Sequence, residues 1–303
     1  MKGLGMSKKV LLLVMVAVLF LALPSMLLAK REGNVVTTEW LGKNLSKKDL
    51  VIVDVRNFAD YKAGHVPGSV NIPLSSLAID KGGLKNEVPA NEDLIDIISE
   101  KGIGSSAPVV VVGLAGEKLP DRAGLTRAAW TLKYAGVQDV YVLDGGFEQW
   151  LAEKKPVVTE LLDVKEKKYR GKIKEGLFVN LSGLQSAKAA GAVVVDVREL
   201  VFFNGEQKLP FVGQFGHVEG ALNLPTAQVF EGKSYKGRKD LLALAETVVG
   251  TDKAKQIVVY CDSGRVATIW ALLLDGLGYS NVAVYDGSAQ EYGAENAPLK
   301  LVK

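Results

Sequence analysis

The 303-residue chain has little of what most protein chemistry uses: a single cysteine, Cys261, and only two histidines, His65 and His217. One thiol cannot close an internal disulfide, so stability must come from packing. The shortage of histidine and cysteine leaves no cluster with the spacing of a metal site, and no pair of carboxylates stands out for acid and base work. No glycine-rich phosphate fingerprint follows a strand, so neither a nucleotide nor a dinucleotide is expected. An excess of one charge is also missing. The net charge of +3 comes from 37 basic and 34 acidic residues, and Lys2, Lys8 and Lys9 supply the difference from a leader that has no acid. Without them the chain is neutral, which removes the main support for nucleic-acid binding.

Residues 1–29 have the order of an export signal: lysines, an apolar run from Val10 to Leu23, then Pro24 and Ser25 and a short stretch ending at Ala29. Leu27 sits where a small residue is preferred before a cleavage site, and the apolar segment is just long enough to serve instead as an amino-terminal anchor. Either way the chain is expected to be exported to the periplasm, meeting a membrane only through this segment.

The remainder is one unit written twice. Val51-Ile-Val-Asp-Val-Arg56 returns as Val193-Val-Val-Asp-Val-Arg198, and Gly64-His-Val-Pro-Gly68 as Gly216-His-Val-Glu-Gly220. Val140-Tyr-Val-Leu-Asp-Gly145 returns as Val282-Ala-Val-Tyr-Asp-Gly287, each after a helix-like run with a tryptophan, Trp130 or Trp270. Three blocks in one order define a duplication. The boundaries are 34–155 for the first copy, 156–173 for a solvated Lys- and Glu-rich linker, and 174–303 for the second. Short β-branched runs alternate with helix-like stretches, so the fold class is α/β, two tandem domains, each a mainly parallel sheet flanked by helices and each with its own core.

The duplication separates scaffold from chemistry. His65 and His217 share one turn position, which favours a structural hydrogen-bonding role, and Asp54 with Arg56 and Asp196 with Arg198 read as ties at strand ends. Cys261 has no counterpart, because aligning Val109–Val112 with Ile257–Tyr260 sets Gly113 opposite it. A lone cysteine is more often an inert small hydrophobe. This one ends a strand and precedes a helix, where parallel sheets place their ligand sites and where unpaired amides favour a thiolate. Asp262, Ser263, Gly264, Arg265, Val266 and Ala267 follow it as the loop that would meet a substrate. Gly264 permits a tight curl, and Arg265 brings a positive charge for an anion. Asp262 would raise the thiol pKa if it pointed inward. In the first copy the longer segment Leu114–Leu125 could overhang this loop, with Lys118 or Arg122 reaching a substrate, although a solvated surface loop is the commoner outcome.

These residues resemble the tandem rhodaneses, sulfurtransferases of two similar domains with an active cysteine only in the second. The resemblance rests on the Asp-Val-Arg strand end, the doubled Gly-His-Val-x-Gly turn, the Cys-x-x-Gly loop and Tyr285-Asp-Gly287. It implies a site near the junction of the copies, a covalent Cys261 persulfide in place of any cofactor, a small anionic sulfur donor such as thiosulfate or 3-mercaptopyruvate, and a cyanide or thiol acceptor, which could be a redox protein. Two features depart from the family's patterns. Asp262 follows the cysteine where many members have a basic residue, and the insert Phe202–Phe215 offers Lys208 but no arginine. The donor therefore stays open. A phosphatase-type Cys-x5-Arg loop would need arginine at position 267, which is Ala267. A partner-dependent sulfur carrier that binds sulfur without turning over small molecules stays open beside the enzyme.

Overall fold

The computed structural model describes residues 33–294 and 301–302. The first copy places β1 (Val35–Val36), β2 (Val51–Asp54), β3 (Ser69–Asn71), β6 (Val109–Val112) and β7 (Val140–Leu143) in one sheet, ordered β1-β7-β6-β2-β3 and parallel throughout. The second copy repeats that order with β8 (Phe178–Val179), β15 (Val282–Tyr285), β14 (Ile257–Tyr260), β9 (Val193–Asp196) and β11 (Leu222–Asn223). The middle strands β6 and β14 are buried along their whole length, which is why they read as β-branched runs, unbroken in β6 and closed by Tyr260 in β14. Each copy also sends out an antiparallel hairpin, β4 (Ile79–Lys81) with β5 (Leu84–Glu87) and β12 (Phe230–Glu231) with β13 (Ser234–Tyr235), and in the second copy β10 (His217–Val218) pairs antiparallel with β16 (Leu301–Val302).

Side chains alternate across a strand, so each sheet has two distinct faces. The outer face of the first sheet packs Ile52, Val110, Val112 and Tyr141 on Leu41 and Trp150, and that of the second packs Val194, Val258, Tyr260 and Tyr285 on Leu184 and Tyr292. The inner faces differ from the expectation of separate cores. Val53, Val109, Val111 and Val142 join Val195, Ile257, Val259 and Val284 in one continuous cluster that also holds Cys261. Between the sheets lie two helices, Leu119–Tyr134 and Ala267–Gly276, packed on each other. Left-handed glycines just beyond their ends, Gly136 and Gly278, fix their correspondence. Thr126 and Thr268, each ten residues ahead of its glycine, then occupy equivalent places and face each other at 2.8 Å between hydroxyls. A pseudo-twofold axis passes between them. In this correspondence Trp130 and Trp270 stand two positions out of step, so they do not mark the same site.

The segment after the first copy is not a free spacer. It lies along the first domain: Val158 exchanges backbone hydrogen bonds with His65, the Lys167 amide donates to the Ser99 carbonyl, and buried Tyr169 donates from its hydroxyl to the Ala135 carbonyl at 3.0 Å. The lysines and glutamates face water while the backbone and one aromatic ring bind, an arrangement composition alone does not display.

Candidate active site

Cys261 leaves the carboxyl end of β14 and is 1% exposed. The loop after it curls back so that the amides of Ser263, Val266 and Ala267 turn toward its sulfur and favour its charged form. Gly264 stands at the bend with φ +68, and a Cβ there would run into the Asp286 carbonyl, so both the curl and the close approach require glycine. The amides pull the thiol pKa down, but burial and the neighbouring Asp262 carboxylate outweigh them and push it up. The strand-to-helix position therefore does not by itself yield a low-pKa thiol. The loop is shaped to hold an anionic sulfur and too enclosed to create one unaided.

The other loop residues separate. Asp262 faces inward, as the condition on its effect required. Its carboxylate lies 3.6 Å from Arg198 Nη1, and burial pushes its pKa up to about 6. Arg198 is the expected strand-end tie, holding Asp196 by two nitrogens and the Gly216 carbonyl at 2.9 Å, as Arg56 holds Asp54 and the Gly64 carbonyl. Both histidines are structural: His65 Nδ1 meets the Tyr61 carbonyl and its ring stacks on Tyr61, while His217 does the same with Phe203. Ser263 accepts from Asn86 Nδ2 at 3.0 Å. Arg265 is the main departure. Its side chain crosses toward the first copy, where with Asn57, Leu114, Asp121 and Gly124 it lines a cavity of about 140 Å³ at the ends of the first sheet. Asp121 is its foremost acidic neighbour, and burial lowers its pKa.

Two candidates from the first copy go elsewhere. Leu119–Tyr134 is helix rather than loop, with Lys118 exposed at its start. Arg122 binds the Gly116 and Gly232 carbonyls and lies over the Phe230 ring, so it serves the cysteine-less side of the axis. Lys208 is tied within its own insert, donating to the Val212 carbonyl at 2.7 Å.

Three supporting residues escaped the reading of the sequence. Ser288 takes a left-handed backbone (φ +52), and its Oγ accepts from the Cys261 amide at 3.2 Å and the Gly264 amide at 2.9 Å while donating to the Tyr285 carbonyl. The first copy has Gly146 there, also left-handed, so the search for residues present in only one copy would have found it. Asp286 and Arg127 pair at 2.5 Å behind the loop, one from each copy. The β4–β5 hairpin completes the enclosure, with the Val88 amide on Asp286 Oδ2 and Lys85 and Gln290 bonding backbone to side chain in both directions.

Two parallel-sheet domains about a pseudo-twofold axis, with one looped thiol at their junction, define a two-domain protein built around a single buried thiol. Residues 37–153 and 181–295 each match the model of the rhodanese-like domain, and the chain belongs to the rhodanese family of sulfurtransferases. A protein of Synechococcus elongatus provisionally named a thiosulfate sulfurtransferase is 29% identical over 302 residues, covering 94% of this chain and 92% of its own. The sulfur carrier protein TtuD of Thermus thermophilus is 29% identical over 272 residues, 85% of this chain and 93% of the relative. The crystal structure of the Escherichia coli 3-mercaptopyruvate sulfotransferase SseA aligns with a TM-score of 0.70 at 26% identity, covering 84% of this chain and 98% of that one.

Proposed function

We propose that this sulfurtransferase moves a sulfane sulfur from a small anionic donor, thiosulfate or 3-mercaptopyruvate, to cyanide or a thiol through a persulfide on Cys261. The observation that carries the reading is the ring of Ser263, Val266 and Ala267 amides around the chain's only thiol. The Cys261 thiolate attacks the donor's outer sulfur. From thiosulfate, sulfite leaves with the S–S bonding pair. From 3-mercaptopyruvate, the C–S bond breaks and pyruvate leaves as its enolate, which takes up a proton. The acceptor then attacks the outer sulfur and Cys261 departs as thiolate, regenerating the site. A thiolate suits both roles because it is a good nucleophile and a good leaving group. The loop amides favour the charge on the persulfide as an oxyanion hole would.

A second reading, a partner-dependent sulfur carrier, is favoured by the burial of Cys261 and by the relative named as a sulfur carrier protein. Intact mass of the purified protein after incubation with each donor, then with cyanide, separates the two. Gain of one sulfur, absent in Cys261→Ser and removed by cyanide, is the expected result and names the donor. No gain on a folded protein with a free thiol overturns the small-molecule reading in favour of the carrier.

Residues 1–29 lie outside the described residues, and export to the periplasm remains our proposal for them. Fractionation of cells with an antibody to the second copy tests it, and recovery from the cytosol overturns it. No described helix is long and apolar enough to cross a membrane.

A further inference from the structure

We infer that the cysteine-less copy acts on Cys261 through Arg127, a positioning residue for the sulfur transfer proposed above, on which this inference rests. Arg127 belongs to the first copy, midway along helix Leu119–Tyr134, and is fully buried. Everything its guanidinium binds belongs to the second copy. Nη1 donates to Asp286 Oδ1 at 2.5 Å and to the Gly264 carbonyl at 3.3 Å, and its plane lies over the Phe178 ring at 4.5 Å. Nε and Nη2 are buried without a hydrogen-bond partner. An arginine placed only for stability would satisfy its five donors, since a buried cation so thinly compensated is costly and an apolar side chain serves packing as well. Here the hydrogen bonding converges on the two residues that set the cysteine loop.

The leverage follows from where those residues sit. Gly264 is the bend of the loop, its amide fixed by Ser288 Oγ and its carbonyl by Arg127. A peptide unit is planar, so holding that carbonyl fixes the plane entering Arg265 and hence the start of the turn that carries the Val266 and Ala267 amides to the sulfur. Asp286, pressed against Gly264, is gripped from the first copy at both oxygens, by Arg127 and by the Val88 amide. The ring of amides thus has an outer frame from the other half of the chain. Without it the loop would remain but its donors would align less well with an anionic sulfur.

The test is the pH dependence of Cys261 alkylation by iodoacetamide, read with the rate of persulfide formation from the donor identified by mass. For Arg127→Gln the expected result is an alkylation midpoint raised by about half a pH unit or more, roughly threefold less thiolate below the midpoint. Persulfide formation should be at least about tenfold slower. Arg127→Lys, which keeps the charge without the planar fork, should recover only part of either loss. Lys133→Met is the control: it breaks the 3.0 Å Lys133–Asp275 pair between the same two helices, away from the loop, and should leave the midpoint in place. A wild-type midpoint in folded Arg127→Gln, or an equal rise in Lys133→Met, overturns the inference. Should no small donor load the wild-type protein, the proposed transfer from small molecules fails while the alkylation comparison still decides the role of Arg127.

Discussion

Replacing Ser288 is the sharpest way to ask whether the cysteine loop is held by its backbone. Ser288 Oγ accepts the amides of Cys261 and Gly264, at 3.2 and 2.9 Å, inside the protein. Ser288→Ala leaves both donors buried and unpaired, and each costs about 1–3 kcal/mol. The two share one acceptor and can relax together, so the lower half of the sum applies, about 2–4 kcal/mol. Ser288→Gly removes the same oxygen but releases the φ of +52, a conformation that costs a residue with a Cβ ~1–2 kcal/mol. Against this stands the greater freedom of glycine in the unfolded chain, about 0.5–1 kcal/mol. Glycine should therefore be the milder substitution by roughly 0.5–1 kcal/mol, which reverses the usual order of the two residues. Urea unfolding of the three proteins, with equal m values as the check on a shared mechanism, measures both differences. The rate of persulfide formation should fall in both variants, by about tenfold for each 1.4 kcal/mol of loop alignment lost. If alanine proves as stable as serine, Ser288 does not hold the loop; if alanine proves more stable than glycine, the positive φ is not a source of strain.

Asp262→Asn removes the carboxylate that helps raise the thiol pKa, so the alkylation midpoint should fall and the reaction at neutral pH should quicken; an unchanged midpoint leaves burial as the sole cause. Glu87, half-buried beside Asp286, has its carboxyl pushed up to about 8, chiefly by burial. The unfolded chain gives up that proton at lower pH, so stability should decline as pH rises from about 4.5 to about 8, and Glu87→Gln should flatten that decline in urea midpoints taken across the range. Thr126→Val and Thr268→Val should each cost about 1 kcal/mol, with the double variant less than additive because the second change removes a hydroxyl that has already lost its partner across the axis and keeps only its own backbone carbonyl, Ala123 or Arg265; strict additivity in unfolding midpoints refutes the contact.

The fold was legible because its signals are local and doubled. Runs such as Val109–Val112 can only be middle strands of a covered parallel sheet, and the repeated Asp-Val-Arg and Gly-His-Val blocks gave the same ladder twice. Cys261 was legible by contrast with Gly113, and the equivalence holds in the backbone: the Ala289 amide bonds the Cys261 carbonyl as the Phe147 amide bonds that of Gly113. Direction was harder to read. Proximity in sequence says nothing of where the long side chain of Arg265 runs: it reaches toward the first copy while staying in electrostatic range of Cys261. Helical stretches beside tryptophans suggested a shared register, but tryptophan is chosen for volume and the glycines past the helix ends set the correspondence. Arg127 was invisible because its partners lie more than a hundred residues away, and no local pattern marks a charge that is buried by another domain.

The contact between Thr126 and Thr268 is one that a residue makes with its own counterpart, the mark of an isologous interface. In a symmetric dimer every substitution is made twice, so a thiol lost from one half is lost from both. Joining the halves in one polypeptide ends that constraint. One copy can then do without a thiol, with Gly113 in the place of Cys261, while its central helix supports the other.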